Sequence, residues 1–79
     1  MKQVRFKTHS FTLVLKGLDD LTEEMADRII EAGCDDCTPG LRIGAVRLEF
    51  DRKAESLDKA VRSAVAQLKA AGFDPRLEK

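Results

Sequence analysis

The sequence has no tryptophan and no tyrosine, and its aromatic residues are 4 phenylalanines. RNA-binding modules built on a small sheet stack bases on aromatic side chains of their central strands. Basic and acidic residues are balanced at 14 each, so the chain also lacks the positive charge that draws proteins to nucleic acid. Direct nucleic-acid binding is therefore not expected.

Cysteine and long apolar runs are scarce as well. With 2 cysteines in 79 residues, the chain cannot form the multiply bridged framework of a small secreted domain. Its apolar runs are far shorter than the ~20 residues of a membrane-spanning helix, and no secretory leader is visible. We therefore expect a cytoplasmic protein that does not bind membranes.

Apolar residues make up 43% of the chain, which is enough for the core of one domain spanning residues 1–79. The first strand is predicted over residues 11–15, where apolar side chains alternate. Extending this strand back to Val4 and Phe6 requires a bulge near residues 8–10, because those two residues have the opposite phase.

Two amphipathic helices are predicted, each with one apolar stripe. The first runs over residues 22–32 with Thr22 as N-cap, and the second runs from Ser56 to near Gly72. The stripes have helical spacing and consist of Met25, Ala26, Ile29 and Ile30 in the first helix, and of Leu57, Ala60, Val61, Ala64, Val65, Leu68 and Ala71 in the second.

Residues 45–51 show the clearest alternation in the chain. Apolar Val46, Leu48 and Phe50 point to one side, and charged Arg47, Glu49 and Asp51 point to the other. One packed and one hydrated face is typical of an antiparallel sheet. Thr38-Pro39-Gly40 and Gly44 predict turns, and residues 75–78 predict a short edge strand, where proline is tolerated.

These elements follow the order βαββαβ. Helices with one apolar stripe and strands with one apolar face pack as two layers. The sequence therefore predicts an α+β fold of ferredoxin-like architecture, a two-layer sandwich whose antiparallel sheet carries two helices on one face. We expect Phe11, Ile29, Val46 and Val65 to contribute to its core.

The segment Cys34-Asp35-Asp36-Cys37 has the spacing of a metal-binding pair. Two cysteines separated by two residues can supply two ligands of a tetrahedral zinc site, so Cys34, Asp35, Asp36 and Cys37 are the candidate metal ligands. Completing the site requires a carboxylate beside the pair or an ion shared by two chains, because His9 is the only imidazole.

Two other interpretations of this segment compete with metal binding. A redox pair usually lies at a helix N-terminus, whereas this pair follows a helix end, and its two aspartates oppose thiolate formation. In the structural interpretation, which we favour, Cys34 fills the helix end as a small apolar residue and the aspartates shape the turn.

No set of residues has catalytic spacing, and no enzymatic activity is expected. His9 has no nucleophile or carboxylate at recognisable spacing, and the 5 glycines form no phosphate-binding pattern. The polar side of the third strand and the charged segment after it instead predict an interaction surface. Its candidate residues are Arg47, Glu49, Asp51 and Arg52, and Asp51 and Arg52 can pair with each other at the strand end.

Several short segments occur in a characteristic order along the chain. They are Gly33-Cys34-Asp35-Asp36, Pro39-Gly40, Phe50-Asp51-Arg52, Ala54, Ser56, Ala60, Ser63-Ala64 and Ala71-Gly72. Together they resemble a family of small uncharacterised bacterial βαββαβ proteins, over a region from Phe11 to Leu77. In longer members this region is followed by a helix-turn-helix region, so the resemblance implies a domain that works beside a DNA-binding region. The chain departs from the family in ending at Lys79, and Cys37 is not part of the pattern.

The leading hypothesis is a non-enzymatic protein-interaction or regulatory domain. Its partner is another protein or a second copy of the chain, bound through the half-exposed sheet or an edge strand. The alternative is a small metal- or ligand-binding domain that uses the Cys34-Asp35-Asp36-Cys37 segment, with zinc as the expected ion.

Overall fold

The chain folds as one sheet with two helices. The computed structural model describes residues 6–16, 18, 20–42 and 44–78. Its elements are β1 (Lys7–Lys16), α1 (Glu23–Glu31), β2 (Cys37–Arg42), β3 (Ala45–Ala54), α2 (Leu57–Ala70) and β4 (Pro75–Leu77). The 4-stranded sheet has the order β2-β3-β1-β4, and every neighbouring pair is antiparallel. The predicted ferredoxin-like βαββαβ architecture is confirmed.

Within the described part of the chain, no helix has the length and apolar character needed to cross a membrane.

The predicted caps form at both helices. The side chains of Thr22 and Ser56 each accept a hydrogen bond from the backbone N–H three residues later, at 3.2 and 3.1 Å. Each helix is followed by a glycine with positive φ, 103° at Gly33 and 94° at Gly72, which closes a Schellman motif with the last carbonyls. Local sequence therefore sets both helix ends.

The core lies between the helices and one face of the sheet. Its buried residues are Leu13, Leu15, Ile29, Cys34, Val46, Leu48, Phe50, Ala64 and Leu68. Phe11 and Val65, which were also expected in the core, are half-buried and pack against this cluster. Ile30 is 55% exposed, because it follows Ile29 by about 100° around the helix and so leaves the buried stripe.

β1 is longer than predicted and has no bulge. It pairs with β3 in one unbroken register from Lys7, opposite Ala54, to Lys16, opposite Ala45. Phe6 lies before the strand and is 61% exposed, so its phase does not have to match that of the core. Val4 lies outside the described residues.

β2 occupies the segment where a turn was expected. Pro39 lies within this strand, opposite Leu48 of β3. The turn prediction is wrong because proline disrupts a strand that is paired on both sides, whereas β2 is an edge strand with one side of its backbone free. The chain reverses instead beside Gly44, whose φ of 72° is a conformation that favours glycine.

Candidate functional site

Arg52 is the one buried charged residue of the described chain, with 9% of its surface exposed. Because β3 continues to Ala54, Arg52 keeps the phase of Leu48 and Phe50 and points to the helix side of the sheet. The charged linker expected after Asp51 is therefore part of the strand. Arg52 lies on the opposite side from the three residues with which it was grouped.

The Arg52 guanidinium binds three segments of the chain. It forms a two-pronged ion pair with Asp36, with Nε to Oδ2 at 2.7 Å and Nη2 to Oδ1 at 2.9 Å. Nη1 donates to Ser63 Oγ at 2.9 Å, and Nη2 also donates to the Gly33 carbonyl at 3.2 Å. We call Gly33, Asp36, Arg52 and Ser63 the Arg52 cluster. It joins β3 to α2 and to the loop between α1 and β2.

Gly33 has two reasons to be glycine. Its φ of 103° lies in the left-handed region, which L side chains rarely adopt. A Cβ at this position would also lie 2.6 Å from Gln67 Nε2, so the flexible end of the Gln67 side chain would have to shift. The backbone conformation is therefore the stronger of the two reasons.

Electrostatics within the Arg52 cluster favour the charged forms of both partners. The hydrogen bonds from Arg52 hold the pKa of Asp36 below its usual value of 3.8. Asp36 in turn raises the pKa of Arg52. The guanidinium also lies 5.2 Å from the centroid of the Phe50 ring, within the range of a cation–π contact. The cluster is therefore charged, and its partners satisfy each other.

The two cysteines are free thiols with internal hydrogen bonds. Cys34 is buried, and its thiol donates to Gln67 Oε1 at 3.6 Å. The Cys37 thiol donates to the Cys34 carbonyl at 3.1 Å. Burial raises the pKa of the Cys34 thiol, and burial together with nearby negative charge raises that of Cys37 to about 11. Both groups are therefore protonated near neutral pH, which opposes nucleophilic or redox chemistry.

The predicted metal ligands do not converge. Among the described residues, no three histidine, cysteine, aspartate or glutamate side chains are placed to hold an ion. Asp36 uses both carboxylate oxygens for Arg52, while Asp35 is exposed.

Within the part of the chain that the structure describes, no element covers the face of the sheet opposite the helices, and we call it the open face. Its side chains come from Thr8, Ser10, Thr12 and Val14 of β1, Thr38 of β2, Arg47, Glu49, Asp51 and Lys53 of β3, and Arg76 of β4. Three of the four predicted interaction residues, Arg47, Glu49 and Asp51, lie on this face. The structure thus brings these three together and separates Arg52 from them.

Two contacts organise the open face. Ser10 Oγ donates to Asp51 Oδ1 at 2.6 Å, so Asp51 pairs across the strands and not with Arg52. Arg47 and Glu78 form an ion pair whose Nε to Oε1 distance is 3.1 Å. Because β1 lies between β3 and β4, this pair crosses β1 and links both flanking strands.

His9 has a structural contact. Its Nε2 lies 3.2 Å from the Ala54 carbonyl, at the end of β3. No serine or cysteine is bonded to it among the described residues, so the structure offers no catalytic pair around this imidazole.

Ser63 and Gln67 were not anticipated from the sequence as partners of this region. Arg52 itself carried a usable signal, because it extends the period-two series of Val46, Leu48 and Phe50 by one step. A long polar side chain in a buried phase requires partners. The sequence does not reveal that α2 supplies one of them.

No family model, curated protein or solved structure matches the chain. Three of the segments quoted for the family resemblance contribute to the Arg52 cluster. Gly33 and Asp36 come from one segment, Arg52 from another and Ser63 from a third.

Proposed function

We propose that this chain is a non-enzymatic protein-interaction or regulatory domain that binds its partner through the open face. The partner is another protein or a second copy of the chain. The observation that carries the proposal is the contrast between the two faces of the sheet. The candidates for chemistry are held by internal contacts, whereas the charged residues Arg47, Glu49, Asp51 and Lys53 of β3 lie on the open face.

The side chains that were candidates for catalysis or metal binding make contacts within the described chain. Asp36 is paired with Arg52, the two thiols have raised pKa values, and His9 contacts a backbone carbonyl. A catalytic base or nucleophile needs a free, correctly protonated group within reach of substrate. These contacts favour binding over catalysis.

The open face has the composition of a recognition surface that stays hydrated without its partner. Hydroxyl groups line β1, and charges of both signs line β3. Charged groups on such a surface provide specificity and orient the partner more than they add affinity. Glu49 and Asp51 form its acidic part, so the part of the partner that faces these two residues is basic.

We expect a charge reversal on the open face to abolish partner binding. The variant Glu49→Lys/Asp51→Lys changes the acidic part of this face, and Asp27→Lys/Glu31→Lys makes the same change in net charge on α1. Light scattering over a concentration series measures self-association, and cross-linking in lysate recovers a different partner. The open-face variant is expected to lose the complex, whereas the helix variant keeps it.

The proposal fails if the unaltered protein stays monomeric at high concentration and no partner is recovered. It also fails if the two double variants lose binding equally, because the effect would then come from net charge and not from the open face.

The metal-binding alternative predicts a different result. We expect protein purified without chelator to contain no stoichiometric zinc and a chelator to leave its melting temperature unchanged, because Asp36 is held by Arg52 and both thiols are protonated. Elemental analysis and a thermal melt measure these quantities. Stoichiometric zinc that disappears in Cys34→Ser/Cys37→Ser would replace the interaction proposal with the alternative.

A further inference from the structure

Among the strands of the described residues, β2 and β4 are the two edges of the sheet. An edge strand exposes unpaired N–H and C=O groups, which can bind an extended segment of another chain. Leu41 on β2 and Leu77 on β4 are 51% and 48% exposed. Both edges therefore carry an apolar side chain that favours association with a second copy.

The backbone of β2 alternates between groups that point to β3 and groups that point outward. The Asp51 N–H donates to the Asp36 carbonyl at 3.1 Å, so residues 36, 38, 40 and 42 point toward β3. The outward positions are Cys37, Pro39 and Leu41. Proline thus occupies the central outward position of this edge.

Two backbone contacts fix the direction of the groups on β4. The Glu78 N–H donates to the Thr12 carbonyl at 3.0 Å, and Arg76 lies opposite Val14 two residues away. Residues 76 and 78 therefore point toward β1, and Pro75 and Leu77 point outward.

The 2 prolines of the chain thus lie one on each edge, both at outward positions. Proline has no N–H, so at such a position it removes no hydrogen bond from the sheet and offers no donor to an incoming strand, which finds only a carbonyl acceptor there. On β2 the remaining outward donors, those of Cys37 and Leu41, are separated by about 13 Å at the usual rise of a strand.

We infer that Pro39 closes the exposed β2 edge to strand addition and so prevents copies of this chain from joining there. Pro75 is buried, so the β4 edge is already covered at its own outward proline. The inference is independent of the proposed function, because it concerns the backbone of the β2 edge and not the side chains of the open face. If both hold, partner binding uses the open face and the β2 edge stays unpaired.

The test restores the missing donor. Pro39→Val gives β2 an outward N–H at an exposed position. Leu41→Val places valine at the next outward position of the same edge, where the N–H is already present. Light scattering from micromolar to millimolar concentration is expected to show the mass of Pro39→Val at least doubling. Leu41→Val is expected to behave like the unaltered protein.

Amide hydrogen exchange identifies the surface involved. In the associated Pro39→Val variant, the amides of Cys37 and Leu41 are expected to become protected as concentration rises, which association through the open face would not cause.

Pro39→Ala restores the same donor with a smaller side chain and replaces Pro39→Val if that variant does not fold. A folded Pro39→Val or Pro39→Ala variant that keeps the mass of the unaltered protein and leaves both amides unprotected would overturn the inference.

Discussion

Replacing Asp36 with alanine is expected to lower the free energy of unfolding by about 3 kcal/mol, because it leaves the Arg52 charge buried without its partner. Arg52 has lost most of its contact with water, and neither Ser63 nor the Gly33 carbonyl can neutralise it. A domain of this length has roughly 4–12 kcal/mol of stability in total, so the loss is a large part of it. Urea denaturation followed by circular dichroism measures the change.

Two further variants separate the ion pair from general effects. Glu55→Ala removes the partner of Lys59 in an exposed pair, and such pairs contribute about 0–1 kcal/mol. Adding Arg52→Met to Asp36→Ala removes the unpaired charge while keeping the aliphatic chain, so the double variant is expected to regain part of the loss. If Asp36→Ala costs no more than Glu55→Ala, the Arg52 cluster does not hold the three segments together.

The same pair makes stability depend on pH. Arg52 lowers the pKa of Asp36 in the folded state below 3.8, whereas the unfolded chain lacks this partner. A carboxyl group with a depressed folded pKa stabilises the fold above its unfolded pKa, and this contribution is lost as pH falls through the folded value. Below about pH 4, the unaltered protein is therefore expected to lose stability more steeply than Asp36→Ala.

Local signals were sufficient for most of the fold. Helix ends depend on nearby residues, so the caps at Thr22 and Ser56 and the stops at Gly33 and Gly72 could be located from the sequence alone. β4 could also be predicted, since proline is compatible with an edge strand. The position of β2 could not be predicted, because a strand accepts Pro39 only if the side to which this residue's backbone points is unpaired, and the sequence does not show which side that is.

The candidate site was predicted only in part, because burial is a property of the assembled chain. Arg47, Glu49 and Asp51 share a face by simple alternation. Arg52 was misplaced because a charged residue after a strand is ordinarily solvated, and its partner Asp36 lies 16 residues earlier. Asp36 was a candidate metal ligand, but in the structure its carboxylate pairs with Arg52.

The largest single loss of stability is expected from Phe50→Ala, at about 4 kcal/mol, because the removed ring leaves a cavity in the core. Phe50 is buried, and its ring stacks on that of Phe11 with centroids 5.0 Å apart. The Arg52 guanidinium also lies over the Phe50 ring, 5.2 Å from its centroid. The substitution therefore weakens the core and the Arg52 cluster together. Chemical denaturation followed by circular dichroism measures the total loss in the free energy of unfolding.

Phe50→Leu and Lys53→Ala separate the contributions of volume and ring chemistry. Leucine keeps most of the apolar volume but loses the aromatic stack and the cation–π contact, so a smaller cost of about 1–2 kcal/mol is expected. Lys53→Ala changes an exposed residue of the same strand and is expected to have little effect. A cost of Phe50→Ala as small as that of Lys53→Ala would show that β3 does not form the centre of the core.

Combining Phe50→Leu with Asp36→Ala tests whether the ring and the carboxylate stabilise Arg52 jointly. If they do, the double variant is expected to lose less free energy of unfolding than the two single variants added together.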